Sequence, residues 1–197
     1  MIHSIATWIG RVFHPFVVPI YALLIILVIS PLGRVIPVST QFAVWISTII
    51  SAIVMPIAVF AILKRFGVIT NKNLDNHEDR VWPLISLAMS FSVASIFLSG
   101  MQSSEIFIRT YFVIAIQVFI FAVISLFWKI SMHAMAWGAI SALFLMFGPI
   151  FRWAFVLSMI LAAFVISSRL ILGKHSGLQV LAGFLQGLIV TVILLSI

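Results

Sequence analysis

Polar breaks divide the chain into a series of apolar runs. Before the first break, Ile2, Ile5, Trp8, Ile9, Val12 and Phe13 recur at helical spacing, with His3, Ser4, Thr7 and Arg11 between them. This pattern predicts a short amphipathic helix lying in a membrane interface. His14 and Pro15 end it, because proline supplies no amide and disfavours helix at the residue before it. Seven apolar runs follow, over residues 16–32, 41–63, 82–100, 106–128, 134–147, 153–166 and 178–197. Most approach the roughly 20 residues that cross a bilayer core. They lack the alternation of membrane barrel strands, so the spans are helices. Trp82, Trp128 and Trp153 fall at the ends of runs, where an aromatic belt places them. The expected fold is all-α: a polytopic transmembrane helix bundle of about seven spans, six if the short fifth and sixth fuse, with an interfacial N-terminal helix. No repeat or linker interrupts residues 1–197, so a single integral membrane domain is expected.

Composition agrees with this pattern. The 197 residues are 64% hydrophobic and 8% charged, against about half and a quarter in soluble domains. Eleven basic and four acidic residues give a charge of +7. The bases stand singly or in pairs at run ends, which points to anionic head groups as partners and not to nucleic acid. The absence of cysteine excludes disulfides and thiolate sites. The first residues show neither a charged n-region nor a cleavage site, so no removable signal peptide is expected.

Polar residues gather in three breaks. The longest, residues 70–80, carries Lys72 and Arg80 with three of the four acids, Asp75, Glu78 and Asp79. The second holds Lys129, Ser131 and His133. The third holds Ser168, Arg169, Lys174, His175 and Gln179, with Gly173 and Gly177 as turn formers. With seven spans these three connections share one side of the membrane. Cations gathered between apolar runs need an anion or a polar surface to meet. A guanidinium offers a planar fork to phosphate oxygens, and an imidazole serves as nucleophile or proton carrier near neutral pH.

Ser168 and Arg169, then five residues, His175, then three residues and Gln179, resemble the third motif of the type-2 phosphatidic acid phosphatase superfamily, the vanadium-haloperoxidase-like lipid phosphatases. Gln179 stands where the family has Asp, as it does in the dolichyl diphosphate phosphatases of that superfamily. Residues 130–133 are similar to the second motif, with Ser131 and His133 at family spacing and the Pro and Gly replaced. The first motif is matched only loosely, by Lys72, Arg80 and Pro83. The resemblance, which covers residues 72–187, implies a metal-independent lipid phosphatase that needs no cofactor, working in a bacterial inner (plasma) membrane. His175 would attack phosphorus to give a phosphohistidine, and His133 would protonate the leaving oxygen and later activate water. Arg80, Arg169, Lys72 and Ser131 would hold the phosphate oxygens, flanked by Ser168 and Lys174. Gln179 would orient His175. The substrate would be a membrane lipid phosphomonoester or diphosphate: phosphatidate, a polyprenyl diphosphate or a phosphorylated glycolipid.

Each of these residues also has a plainer reading. Arg169 and Lys174 snorkel to head groups in many membrane proteins, and Lys129 reads as an interfacial anchor. His133 reads as a helix-end histidine bonded to a carbonyl, and His3 and His14 as interfacial. Ser176 and Gln179 have the spacing of a capping box. Gly183 and Gly187 permit close helix approach. The whole chain has rival readings too: a non-catalytic lipid-phosphate binder or transporter, or a haem bundle ligated by His133 and His175. Asn71, Asp75 and Asp79 are spaced like the Mg²⁺-diphosphate motif of aromatic prenyltransferases. The sidedness of the site stays open. Eight bases lie on its face and three on the other, but removing Lys72, Arg80, Arg169 and Lys174 leaves four against three. The positive-inside rule cannot decide on that margin.

Overall fold

A computed structural model describes residues 1–68 and 77–197, and the side chains of residues 1–68 and 81–197. Among the described residues the regular structure is helical throughout: α1 (Ile2–Val12), α2 (Val18–Leu23), α3 (Val38–Ile49), α4 (Met55–Arg65), α5 (His77–Gly100), α6 (Glu105–Ser125), α7 (Met132–Met146), α8 (Arg152–Ile171) and α9 (Gly177–Ser196). Five segments are long and apolar enough to cross a bilayer: Val38–Arg65, Val81–Gly100, Glu105–Ser125, Pro149–Ile171 and Gly177–Ser196. Two shorter apolar helices, Val18–Ile29 and Met132–Met146, stand where the first and fifth runs were predicted. The chain is thus a polytopic helical membrane protein. The predicted sixth run is too short: α8 continues to Ile171, so Ser168 and Arg169 lie on its last turns and not in the connection. Nothing in 167–172 breaks a helix, and Gly173 does.

The described residues form two compact units, Met1–Leu32 with Ile130–Ile197, and Gly33–Lys129. In the first unit α7 packs against α8 and α9, α1 against α8, and α2 against α7. The α7–α9 contact is backbone on backbone. A Cβ on Gly138 would stand 2.2 Å from the Phe184 carbonyl oxygen, one on Gly183 2.5 Å from that of Ser131, and one on Gly187 2.1 Å from that of Met135. Lipid tails are as apolar as leucine, so close van der Waals packing has to drive such an association. The Gly183–Gly187 spacing serves packing within this unit. Buried Trp137, Phe144 and Phe151 fill its centre, and the last two stack with ring centroids 5.9 Å apart.

Val18–Ile29 runs as α-helix to Leu23 and as π-helix over Leu24–Ile29. It closes at Ser30, whose hydroxyl donates to the Ile26 carbonyl at 2.7 Å, and Pro31, which has no amide to give. Outward side chains are apolar, among them Ile160, Phe164, Ile189 and Ile193, as a lipid-facing surface requires.

In the second unit α5 and α6 form a helical hairpin packed on the Val38–Arg65 helix. That helix has its own π segment at Ile50–Val54, just before Pro56 removes a donor from the ladder. The Tyr111 hydroxyl donates to the Val44 carbonyl at 2.8 Å and pairs with Thr48. Ser51 donates to the Ser90 carbonyl and Ser95 to that of Ile108. Each of these buried hydroxyls is thus satisfied within the protein, as a medium without water demands. The ion pair Arg109–Glu105 is exposed and contributes little. Trp82 and Trp128 of this unit and Trp153 of the first are 56%, 41% and 44% exposed, as belt residues should be.

The glycine contacts predict an asymmetry. Gly187→Ala should lower stability by at least about 1–3 kcal/mol, because the α7 backbone cannot yield as a side chain would. Gly177→Ala meets nothing within 4 Å and should stay within about 0.5 kcal/mol. Thermal unfolding of the two variants in the same detergent checks the difference.

Candidate functional site

The second and third polar breaks meet in the first unit. Ser131 is the N-cap of α7: its hydroxyl, fully buried, accepts from the Ala134 amide at 3.3 Å. Its own amide donates to the Gln179 carbonyl at 3.1 Å, and its carbonyl lies against Gly183. The start of α7 is therefore stitched to the first turns of α9, and His133 is held beside the loop that carries His175. At the head of α9 the capping box is complete. The Ser176 amide donates to Gln179 Oε1 at 3.0 Å, and the Gln179 amide to Ser176 Oγ at 3.4 Å. Gln179 thus serves the cap, and a proton on His175 would have to share Oε1 with the Ser176 amide.

The end of α8 is fixed by local chemistry. Gly173 takes a left-handed φ of 60°, its amide donates to the Leu170 carbonyl, and the Lys174 amide to that of Arg169. These are the two bonds of a Schellman closure, with glycine where a Cβ would be penalised. The turn sends the chain back toward α9 and leaves Lys174 exposed and His175 half-buried. Ser168 is buried. Its hydroxyl donates to the Val165 carbonyl at 2.7 Å and accepts from Arg169 Nε at 3.3 Å, so it aims the guanidinium.

Arg169 reaches α1. A Cβ on Gly10 would stand 1.7 Å from Arg169 Nη2 and 2.6 Å from Cζ, so the guanidinium occupies the space that Gly10 leaves. His133 points to the same residue, with Nε2 3.1 Å from the Gly10 carbonyl oxygen. A carbonyl only accepts, so Nε2 carries the proton and Nδ1 keeps the lone pair. The His14 ring stands edge-on to that of His133, centroids 5.2 Å apart, and its Nδ1 accepts from the Phe16 amide at 3.4 Å. Arg169, His14 and His175 all lie within electrostatic reach of His133. Two further carbonyls at the end of α1 are taken by side chains, that of Val12 by the Tyr21 hydroxyl at 2.9 Å and that of Phe13 by Trp137 Nε1 at 3.3 Å.

Charge in this unit is one-sided. It contains Arg11, Arg152, Arg169 and Lys174 but no Asp or Glu, because all four acids belong to Gly33–Lys129. Arg169 sits at the C-terminal ends of α1 and α8. A helix end offsets about 0.3–1 kcal/mol of a cation's cost, up to about 2 in partly buried geometry. Desolvating an ion costs several kcal/mol. The helix ends therefore leave part of the charge for an anion to complement.

The structure thus brings His133, His175, Arg169, Ser131, Ser168 and Gln179 into one region of the first unit, with Lys174 at its rim. Lys72 lies outside the described residues, as do Asn71 and Asp75. Arg80 and Asp79 stand on the first turn of α5 in the other unit, their side chains outside the description. Among the described residues no group of three His, Cys, Asp or Glu converges as a metal site. Gly10 and His14 enter the site without having been singled out as functional. The signal for Gly10 was the Ala6–Gly10 pair, two small residues one turn apart, which form the buried stripe of α1; the apolar residues of that helix drew the reading instead. No family model matches this chain, and no curated protein or solved structure matches it.

Burial, and then the nearby Arg169 charge, hold the His14 imidazole below its ordinary 6.5. Folded protein therefore binds this proton less readily than unfolded chain. The two states are equal above 6.5, and stability falls as pH drops through that value. His14→Gln should lessen, without abolishing, the loss in melting temperature between pH 7.5 and pH 5.5, because the part-buried His133 ring beside it acts in the same direction; unfolding in detergent measures the change.

Proposed function

We propose that the first unit binds the phosphate of a membrane lipid at Arg169 and hydrolyses it without a metal, as a divergent member of the type-2 phosphatidic acid phosphatase superfamily. One observation carries the reading. A partly buried guanidinium, aimed by Ser168 and seated on Gly10, stands among His133, His14 and His175 in a unit that has no Asp or Glu of its own. The chemistry that complements such a cluster is an oxyanion, and in a bilayer the abundant oxyanions are lipid phosphates. The contact between residues 130–133 and 168–179 supports the superfamily reading further, because the resemblance requires these two segments to meet.

The reaction follows from the residues. A His175 ring nitrogen attacks phosphorus and the bond to the lipid oxygen breaks, while that oxygen takes a proton from His133. Water then attacks the phosphohistidine, gives its proton back to His133, and releases phosphate with His175 restored. Arg169 holds the oxygens on which charge is spread in each transition state. Nε2 is bonded to Gly10 and Nδ1 holds the lone pair in the resting site, so His133 serves as the acid only after Nδ1 has taken up a second proton. That bond also favours a second reading: a histidine whose donor is already engaged, beside a Gln179 engaged in its cap, suits a protein that binds lipid phosphate without turnover.

Phosphate release from a panel of lipid phosphates, by purified protein in detergent with EDTA, separates the two. Turnover is expected in EDTA, with a loss of about 10²–10⁴-fold in both His175→Ala and Arg169→Ala. Turnover that needs Mg²⁺ and survives His175→Ala would return attention to Asn71, Asp75 and Asp79. Phosphate-lipid binding that depends on Arg169, with no turnover, would establish the binding reading. Gly10→Ala offers an independent check. Its methyl displaces the flexible end of Arg169, so stability should change by no more than about 1 kcal/mol, while activity falls at least about tenfold.

A further inference from the structure

An apolar cleft of about 210 Å³ opens between the π segment Leu24–Ile29, α7 and α8. We infer that it holds one hydrocarbon chain of the same lipid whose phosphate sits at Arg169. The inference rests on the phosphate reading above and adds the chain's location to it.

Position is the first argument. Trp137 and Ile140 line the cleft, four and seven residues after His133 on the same face of α7. At about 1.5 Å per residue they lie roughly 6 and 10 Å along the helix from the histidine. Ser158, also lining it, precedes Arg169 by eleven residues, about three turns, on nearly the same face of α8. The helix faces that carry the cations at one end carry the cleft below it. Phe13 joins the two, lying three residues after Gly10 and against Trp137, ring centroids 5.5 Å apart.

Lining chemistry is the second. The polar groups at the cleft wall are already bonded within the protein: Trp137 Nε1 donates to the Phe13 carbonyl, the Tyr21 hydroxyl to that of Val12, and the Ser158 hydroxyl to that of Phe155 at 2.7 Å. Water would find no partners there, so the occupant is hydrocarbon. The inferred occupant is a single flexible chain, which a cleft of this volume and apolar lining can take up. The wider π turn, which often marks functional positions, supplies Leu24, Ile25 and Ile29 to the lining. Because bilayer and cleft are equally apolar, preference for the cleft comes from tethering: a phosphate held at Arg169 raises the local concentration of its own chain.

The test uses the full chain in phosphatidylcholine nanodiscs with two photoreactive probes, a long-chain alkyl phosphate bearing a mid-chain diazirine and the matching neutral alcohol. Adducts are mapped by mass spectrometry. For the phosphate probe, labelling of Ile25, Ile140 and Leu161 should exceed that of the outward-facing Ile160 and Phe164 at least about fivefold through tethering. The alcohol should show no such enrichment, and Arg169→Ala should abolish it. Leu161→Trp, which fills the cleft away from the cations, should lower turnover or binding of long-chain phosphates relative to short-chain ones. Uniform labelling by the phosphate probe, with binding still dependent on Arg169, would overturn the cleft assignment and leave the phosphate site standing. Equal enrichment of alcohol and phosphate, unaffected by Arg169→Ala, would overturn the phosphate reading and with it the shared occupant.

Discussion

The contact between the α7 and α9 backbones governs what the first unit can do. Gly138, Gly183 and Gly187 let the helices approach until main-chain atoms touch, and that approach allows the Ser131 amide to reach the Gln179 carbonyl. His133 and the His175 loop then become neighbours although 42 positions separate them. With one bulky residue in place of a glycine, each helix would still form and each motif would still be present. They would no longer share a site. Packing of small residues here is a condition for the chemistry as well as a source of stability.

The architecture of the cluster is unusual in how much it leans on carbonyl oxygens and helix ends. Where a soluble protein would set a carboxylate against a buried arginine, this unit uses a neighbouring serine, a glycine gap and the negative ends of two helices. These give the guanidinium direction and partial compensation, and no Asp or Glu of its own unit adds to them. Polar donors along α7 follow the same rule: His133 and Trp137 both end on main-chain carbonyls, as does Tyr21 of α2. In a medium without water such pairings are close to obligatory.

Much of this was legible from the sequence, for identifiable reasons. Runs of apolar residues near span length, broken by proline, glycine and charge, mark membrane helices because the bilayer leaves few alternatives. The capping box at Ser176 and Gln179 and the close approach at Gly183 and Gly187 were also readable, since both depend on short spacings within one helix. The length of α8 was misjudged because Ser168 and Arg169 look like a loop when polarity alone is read; nothing there prevents helix until Gly173. Gly10 and His14 were passed over because their importance depends on which element packs against α1, a fact of tertiary structure that no local period encodes. The π segment of residues 24–29 was invisible for a related reason. Its side chains are as apolar as those of any span, and only the hydrogen-bond register distinguishes it.

The end of α1 interacts with the site almost wholly through its main chain. The Gly10, Val12 and Phe13 carbonyls receive His133, Tyr21 and Trp137, and a carbonyl survives any side-chain exchange. Alanine at Arg11 or Val12 would therefore leave all three acceptors in place and read as silent, whereas at Phe13 it would report only the loss of the ring against Trp137. The part of this stretch in holding the imidazole would surface only through changes to the backbone itself, such as an ester in place of an amide or a proline that redirects the turn.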